Sequence, residues 1–222
     1  MKKYVIIVAG GSGSRMNSDV PKQFMLIEGK PVLMHTIQKF TDAFSGISVI
    51  VVLAKQLNEE WTTLCKKHHF EIPHQLADGG ETRYHSVKNG LELVPDAAVV
   101  GIHDAARPLV SDATIKNTFA AAEERGNATP TVPISDSLRY VKGVENTAVD
   151  RNHYHIVQTP QCFHSDLIKK AFLKAYKPEF TDDASVLEAF GEKINLVEGN
   201  RENIKITTMM DLMIAEAVLK LV

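Results

Sequence analysis

The sequence predicts an α/β fold, a sheet with helices packed on it, and three observations carry that prediction. Residues 4–9 form an uninterrupted apolar run that suits a strand covered on both faces, as in a parallel sheet. The run ends in Gly10, Gly11 and Gly13, which let the backbone turn sharply and bring N–H groups together on an anion. Further strand-like runs then alternate with segments of helical periodicity. A chain of 222 residues with 44% hydrophobic composition buries roughly 70% of its unfolded surface in one core, so one domain over 1–222 is expected.

After the first strand, Pro31 opens a helical segment over 32–40. Strand-like runs follow at 47–54 and 97–103, and Ser111 or Asp112 caps a helix that runs to Arg125 and closes at Gly126. Residues 128–134, 156–159 and 194–197 read as later strands, 203–207 as a short alternating one, and 209–221 as a final helix. Residues 135–150 break this rhythm: they are polar, alternate weakly and centre on Lys142-Gly143, which predicts a projecting hairpin. Two strands with no helix to cover them are marginal alone, so this arm should pack on something, most simply a second copy of the chain.

A formal net charge of −2 argues against a nucleic-acid or anionic-membrane partner and for a small one. Cys65 and Cys162 belong to no metal-spaced cluster, which fits a reduced, cytoplasmic setting. The first apolar run is too short for a signal core.

The glycine loop is not a Walker loop, which needs Gly-Lys-Ser/Thr, nor a dinucleotide fingerprint, because Met16 stands where the third glycine belongs. Arg15 within the loop and Lys22 just beyond it place two cations beside converging N–H donors, a match for a polyphosphate. Asp104 and Arg107 follow a strand-like run at the edge where ligands of open α/β sheets bind. There Asp104 can hold a magnesium ion or its water shell, and Arg107 can meet an anionic substrate with two donors. Gly80, Glu81 and Ser86 lie in a second glycine loop suited to a flat pyrimidine edge. Lys205 faces away from its apolar neighbours and would be a third cation if that face lines the phosphate site. His153 and His155, two apart without a third ligand, do not make a metal site.

Taken in order, AGGSGSRM, PKQF, DGGETRYHSV, HDAARP, VDRN, QTPQ, TDDAS and VEGNRENIKIT span nearly the whole chain and resemble the methylerythritol phosphate cytidylyltransferases of the non-mevalonate isoprenoid pathway. The resemblance implies a Rossmann-like nucleotidyltransferase domain whose β-arm locks two subunits into a homodimer. It implies transfer of the cytidylyl group of CTP to 2-C-methyl-D-erythritol 4-phosphate, with magnesium, giving the diphosphocytidyl product and pyrophosphate. By the same resemblance Arg15, Lys22 and Lys205 contact the CTP phosphates and the transition state, and Ala9, Gly10, Gly11 and Gly13 supply the phosphate loop. Gly80, Glu81 and Ser86 would read cytosine. Asp104, Arg107 and Thr181 would contact the sugar phosphate, joined from the partner's arm by Ser137, Arg151 and Thr159. The ribitol 5-phosphate cytidylyltransferases share the glycine loop, PKQF and TPQ but tend to carry HDSVRP, and they are the enzymatic alternative. A catalytically silent nucleotide-binding regulator on the same fold is the alternative of another class.

Overall fold

The first apolar run forms strand β1 (Lys2–Val8) near the middle of the main sheet. The computed structural model describes residues 1–9 and 20–221. A small ladder of β2 (Leu26–Ile27) and β3 (Lys30–Pro31) leads into α1 (Val32–Ala43), which starts after Pro31 as expected. There follow β4 (Ser48–Leu53), α2 (Asn58–Lys67), β5 (Gln75–Asp78), α3 (Arg83–Glu92) and β6 (Ala98–Asp104). Next comes α4 (Asp112–Arg125), capped by the Ser111 hydroxyl and closed by Gly126 at a left-handed φ of 88°. The second half comprises β7 (Asn127–Pro133), β8 (Leu138–Lys142), β9 (Glu145–Val149), β10 (His155–Val157) and β11 (Gln161–His164). Helices α5 (Ser165–Ala171) and α6 (Asp183–Phe190), β12 (Leu196–Glu198) and α7 (Met209–Leu219) complete the chain.

The main sheet runs β10-β7-β11-β6-β1-β4-β5, with β12 paired to β7. Strands β6, β1, β4 and β5 are parallel, and β11 enters antiparallel between β6 and β7. The core lies on both faces of this sheet. Val5 and Ile7 of β1 pack with α1, α2 and α4, while Ile6 between them packs with α3, α5 and α6. Burial on both faces explains why β1 reads as a continuous apolar run rather than an alternating one.

Along β7, strands β10 and β11 are successive pieces of one antiparallel neighbour. Val157 pairs with Thr131 and Cys162 with Ala128, so four residues, 158–161, stand against only Thr129 and Pro130. Gln158 still donates its N–H to the Pro130 carbonyl (2.8 Å), and the bulge frees Thr159 beyond it from the ladder.

Strands β8 and β9 form a separate hairpin around Gly143-Val144, with Lys142 paired to Glu145. That is the arm predicted over 135–150, and both of its faces are largely exposed. One expectation fails: residues 203–207 form no strand. The segment is held by single bonds instead. Ile206 N donates to the Ala106 carbonyl (2.8 Å), and Asp211, in the capping box that starts α7, accepts the Thr207 N–H (2.9 Å). Among the described residues no helix is long and apolar enough to cross a membrane.

Candidate active site

The C-terminal ends of β1 and β6 stand side by side, with Val8 in register with Asp104. From β1 the chain fills the sheet toward β5 and then crosses back to β6, so strand order reverses between β1 and β6, and ligands of open sheets bind at such a point. Two adjoining cavities of about 370 and 280 Å³ open there, and Arg83, Asp104 and Lys205 line both.

In the larger cavity, β5 delivers the second glycine loop and Thr82 caps α3 by accepting the His85 N–H. The Ser86 hydroxyl braces this loop, donating to the Thr82 carbonyl (3.0 Å) and accepting the Gly80 N–H (3.1 Å). A Cβ on Gly80 would lie 2.4 Å from that of His85, so the chain can pass this close only as glycine. Gly80, Glu81 and Ser86 thus lie together on one wall. Lys22 lines the same cavity from a 3-10 turn, Lys22–Phe24. Its neighbour Gln23 donates to the Ala9 carbonyl (2.9 Å), which ties the PKQF turn to the end of β1. Ala9 also lines the cavity, whereas Gly10, Gly11, Gly13 and Arg15 lie outside the described residues.

Asp104 is the electrostatic centre. Its Oδ2 is 3.0 Å from Lys205 Nζ and 3.3 Å from Arg107 Nε, and its Oδ1 is 3.5 Å from Arg83 Nε. Burial would raise this carboxyl, but Arg83, Lys205 and Arg107 together hold it well below the usual carboxylate range. Arg83 is itself locked by two bonds to the buried Asp183, at 2.9 and 2.7 Å. Burial of Arg83 opposes its charge, yet Asp183 and Asp104 keep the guanidinium firmly protonated. Burial likewise pushes the Asp183 carboxyl up, against the pull of Arg83.

The smaller cavity takes in Arg107, Gln158, Thr159 and Thr181. Beneath it runs a closed hydrogen-bond network. Burial pushes His103 down to about 4, so the ring is neutral near pH 7. Its Nε2 is 3.1 Å from the Arg107 carbonyl and its Nδ1 is 3.0 Å from the Thr159 hydroxyl. The carbonyl can only accept, so Nε2 carries the proton, and Nδ1 accepts from Thr159. Thr159 Oγ1 in turn accepts the Asp104 N–H (3.2 Å). Arg107 Nη1 donates to the Asn203 carbonyl (2.7 Å), and Asn203 Nδ2 donates to that of Thr159 (2.9 Å). The network ties Thr159 to Arg107 through His103 and to the segment that carries Lys205 through Asn203.

The arm residues separate from this group. Thr159, expected to reach the site from a partner's arm, is buried in its own chain's site, because the bulge after β10 turns it inward. Ser137 and Arg151 are exposed, Arg151 donating to the Ser135 carbonyl at the base of the hairpin, and neither lines either cavity of its own chain. A magnesium ion held directly by Asp104 does not fit the donor set. Both carboxylate oxygens already face cations, and among the described residues no group of three His, Cys, Asp or Glu could hold a metal.

Sequence reasoning missed Arg83 and Asp183, although both stand inside motifs it used. The signal was Asp182-Asp183 at a helix start. Asp182 alone caps α6, accepting the Ser185 N–H, so the second carboxylate, buried at the first helical position, requires a cation elsewhere.

Residues 3–221 match the family described as 2-C-methyl-D-erythritol 4-phosphate cytidylyltransferase (IspD). The chain is 49% identical over 219 residues to the 2-C-methyl-D-erythritol 4-phosphate cytidylyltransferase of Bacteroides thetaiotaomicron, covering 99% of this chain and 100% of that relative. The protein of the same name from Porphyromonas gingivalis ATCC 33277 is 47% identical, with 98% of each covered. The solved structure of 4-diphosphocytidyl-2C-methyl-D-erythritol synthase from Anaerococcus prevotii gives a TM-score of 0.83 at 26% identity, covering 99% of this chain and 96% of that one. The 2-C-methyl-D-erythritol 4-phosphate cytidylyltransferase of Thermus thermophilus gives 0.78 at 30% identity, covering 99% and 100%. A switch-point site with clustered cations, carried on a chain that matches these proteins from end to end, makes it a member of the 2-C-methyl-D-erythritol 4-phosphate cytidylyltransferase family.

Proposed function

We propose that the larger cavity takes CTP, the smaller takes 2-C-methyl-D-erythritol 4-phosphate, and the cations around Asp104 serve both at their junction. The single observation that carries this reading is that Arg83, Asp104 and Lys205 line both cavities, so two anions bound there would share one cationic wall. An oxygen of the sugar phosphate attacks the α-phosphorus of CTP and forms the new P–O bond. The bond from that phosphorus to the bridging oxygen of the β-phosphate breaks, and pyrophosphate leaves. The protein's task is to overcome repulsion between the two anions and to neutralise charge gathering at phosphorus.

Lys22 and Lys205, with Arg15 from the glycine loop, serve the triphosphate and the transition state. Gly80, Glu81 and Ser86 read the cytosine edge, and Ala9 with the glycines after it lends backbone donors. Arg107, Thr181 and Thr159 border the acceptor phosphate, with Asp104 setting where Arg107 and Lys205 stand. Magnesium enters as the counter-ion that CTP brings. The chain acts as one nucleotidyltransferase domain over 1–222, and its arm pairs with a second copy so that Ser137 and Arg151 complete the partner's acceptor site. The unpaired thiols of Cys65 and Cys162 suit the reducing cytoplasm.

The test is pyrophosphate release from CTP with methylerythritol phosphate and ribitol 5-phosphate offered separately. Turnover with the first alone is expected. Equal turnover with ribitol 5-phosphate would overturn the acceptor assignment, and no turnover with either would leave the silent regulator.

A further inference from the structure

Lys22 sits on a turn of three residues that lies outside every ladder and long helix. One side of that turn is anchored by Gln23 at the end of β1. The other is anchored by Phe24, which is buried and stacks on Trp61, with ring centroids 5.9 Å apart and planes 10° from parallel. Trp61 is the only tryptophan in the chain and the only buried residue of α2. A buried indole needs a partner for its N–H, and Trp61 Nε1 donates to His74 Nε2 at 2.9 Å. His74 Nδ1 lies 2.7 Å from the Ile72 carbonyl and must donate to it, which leaves Nε2 as the acceptor and fixes the ring. Phe70 closes the cluster against both rings, at 5.9 Å from Trp61 and 6.1 Å from His74. His74 directly precedes β5, the strand that delivers Gly80 to the same cavity that Lys22 lines.

We propose that Trp61, oriented by His74, is a positioning residue for Lys22. The stack under Phe24 sets where the Lys22 ammonium stands relative to the base-reading loop. The proposal rests on the role given to Lys22 above, and displacement of a catalytic group by about 1 Å costs up to about a hundredfold in rate.

The experiment is a double-mutant cycle on the full-length enzyme, with kcat and KM for CTP measured well below the melting temperature. Trp61→Leu should lower kcat/KM for CTP by about tenfold to a hundredfold and leave KM for the acceptor within about twofold. In a Lys22→Ala background the same substitution should cost less than about threefold, because the group it positions is gone. Trp61→Phe keeps the ring on Phe24 and should recover most of the wild-type rate. If Trp61→Leu does not fold, Phe24→Leu removes the other half of the stack and carries the same cycle. Losses that multiply unchanged in the Lys22→Ala background overturn the positioning role. A Lys22→Ala enzyme as active as wild type overturns the role of Lys22 itself.

Discussion

Replacing Arg83 by alanine would strip the Asp183 carboxylate, only 1% exposed with the guanidinium in place, of both its bidentate bonds. Breaking a buried ion pair from one side costs about 3–5 kcal/mol, and because Arg83 is itself 30% exposed the low end applies, about 3 kcal/mol. For a chain of this size that lowers Tm by roughly 6–12 °C, measured by circular dichroism on purified variants. The pH dependence has a fixed sign. Burial already raises the Asp183 carboxyl with Arg83 in place, and removing the guanidinium raises it further. The folded variant then holds a proton that the unfolded chain releases, so its stability rises as pH falls from neutrality toward the ordinary carboxylate range. The deficit against wild type should therefore be smaller at pH 5 than at pH 8, and Asp183→Asn in the same background should restore at least half of it. A Tm unchanged within 2 °C would refute the reasoning, as would a deficit that grows on acidification.

Lys205→Ala should lower the single-turnover rate at saturating CTP by about two to three orders of magnitude with little change in Tm, the usual cost of one lost electrostatic donor. Gly80→Ala forces a Cβ to within 2.4 Å of that of His85, so KM for CTP should rise at least about tenfold while selectivity against UTP, seen by competition, falls. His103 is pushed down to about 4 in the folded protein against about 6.5 unfolded, so stability is complete above pH 6.5 and drains as pH falls toward 4, by about 3 kcal/mol in all. Denaturant titrations at pH 7 and 4.5 should find that slope flattened in His103→Asn. Mixing inactive Arg151→Ala with inactive Lys205→Ala subunits should return about a quarter of wild-type activity after full exchange, since half of symmetric dimers are then mixed and each carries one intact site. Exchange proven by mass with no activity returned would confine Arg151 to its own chain.

The parallel half of the fold was legible because its strands are buried on both faces. The runs that became β1, β4 and β6 announce themselves as apolar blocks, and α4 announces itself through Ser111 and Gly126. Strand β11 was not legible. Gln161–His164 is short and half polar, and its place between β6 and β7 is decided by residues up to 65 positions away in sequence, His164 pairing with Val99. The segment 203–207 misled in the opposite sense. Ile206 is buried and Lys205 turned to the cavity as alternation implies, but Asn203 is fully buried too, and such a pattern arises wherever an extended chain lies over a core, with or without a ladder. At the site, single cations beside glycines were readable, whereas the Arg83–Asp183 pair joins residues 100 positions apart and leaves no local pattern.

The junction around Asp104 is an internal salt. Arg83, Arg107 and Lys205 face Asp104 and Asp183, which leaves a formal excess of one positive charge among these five groups, in a chain whose net charge is −2. In the proposed reading an arriving phosphate would meet cations already held in place by carboxylates and trade partners with Asp104, with little reorientation of side chains. Long-range attraction toward so balanced a cluster is weak. The rate of substrate capture should then depend only shallowly on ionic strength, while the equilibrium grip on two phosphates, formed at short range between partly buried groups, persists in salt that would screen an exposed cationic patch.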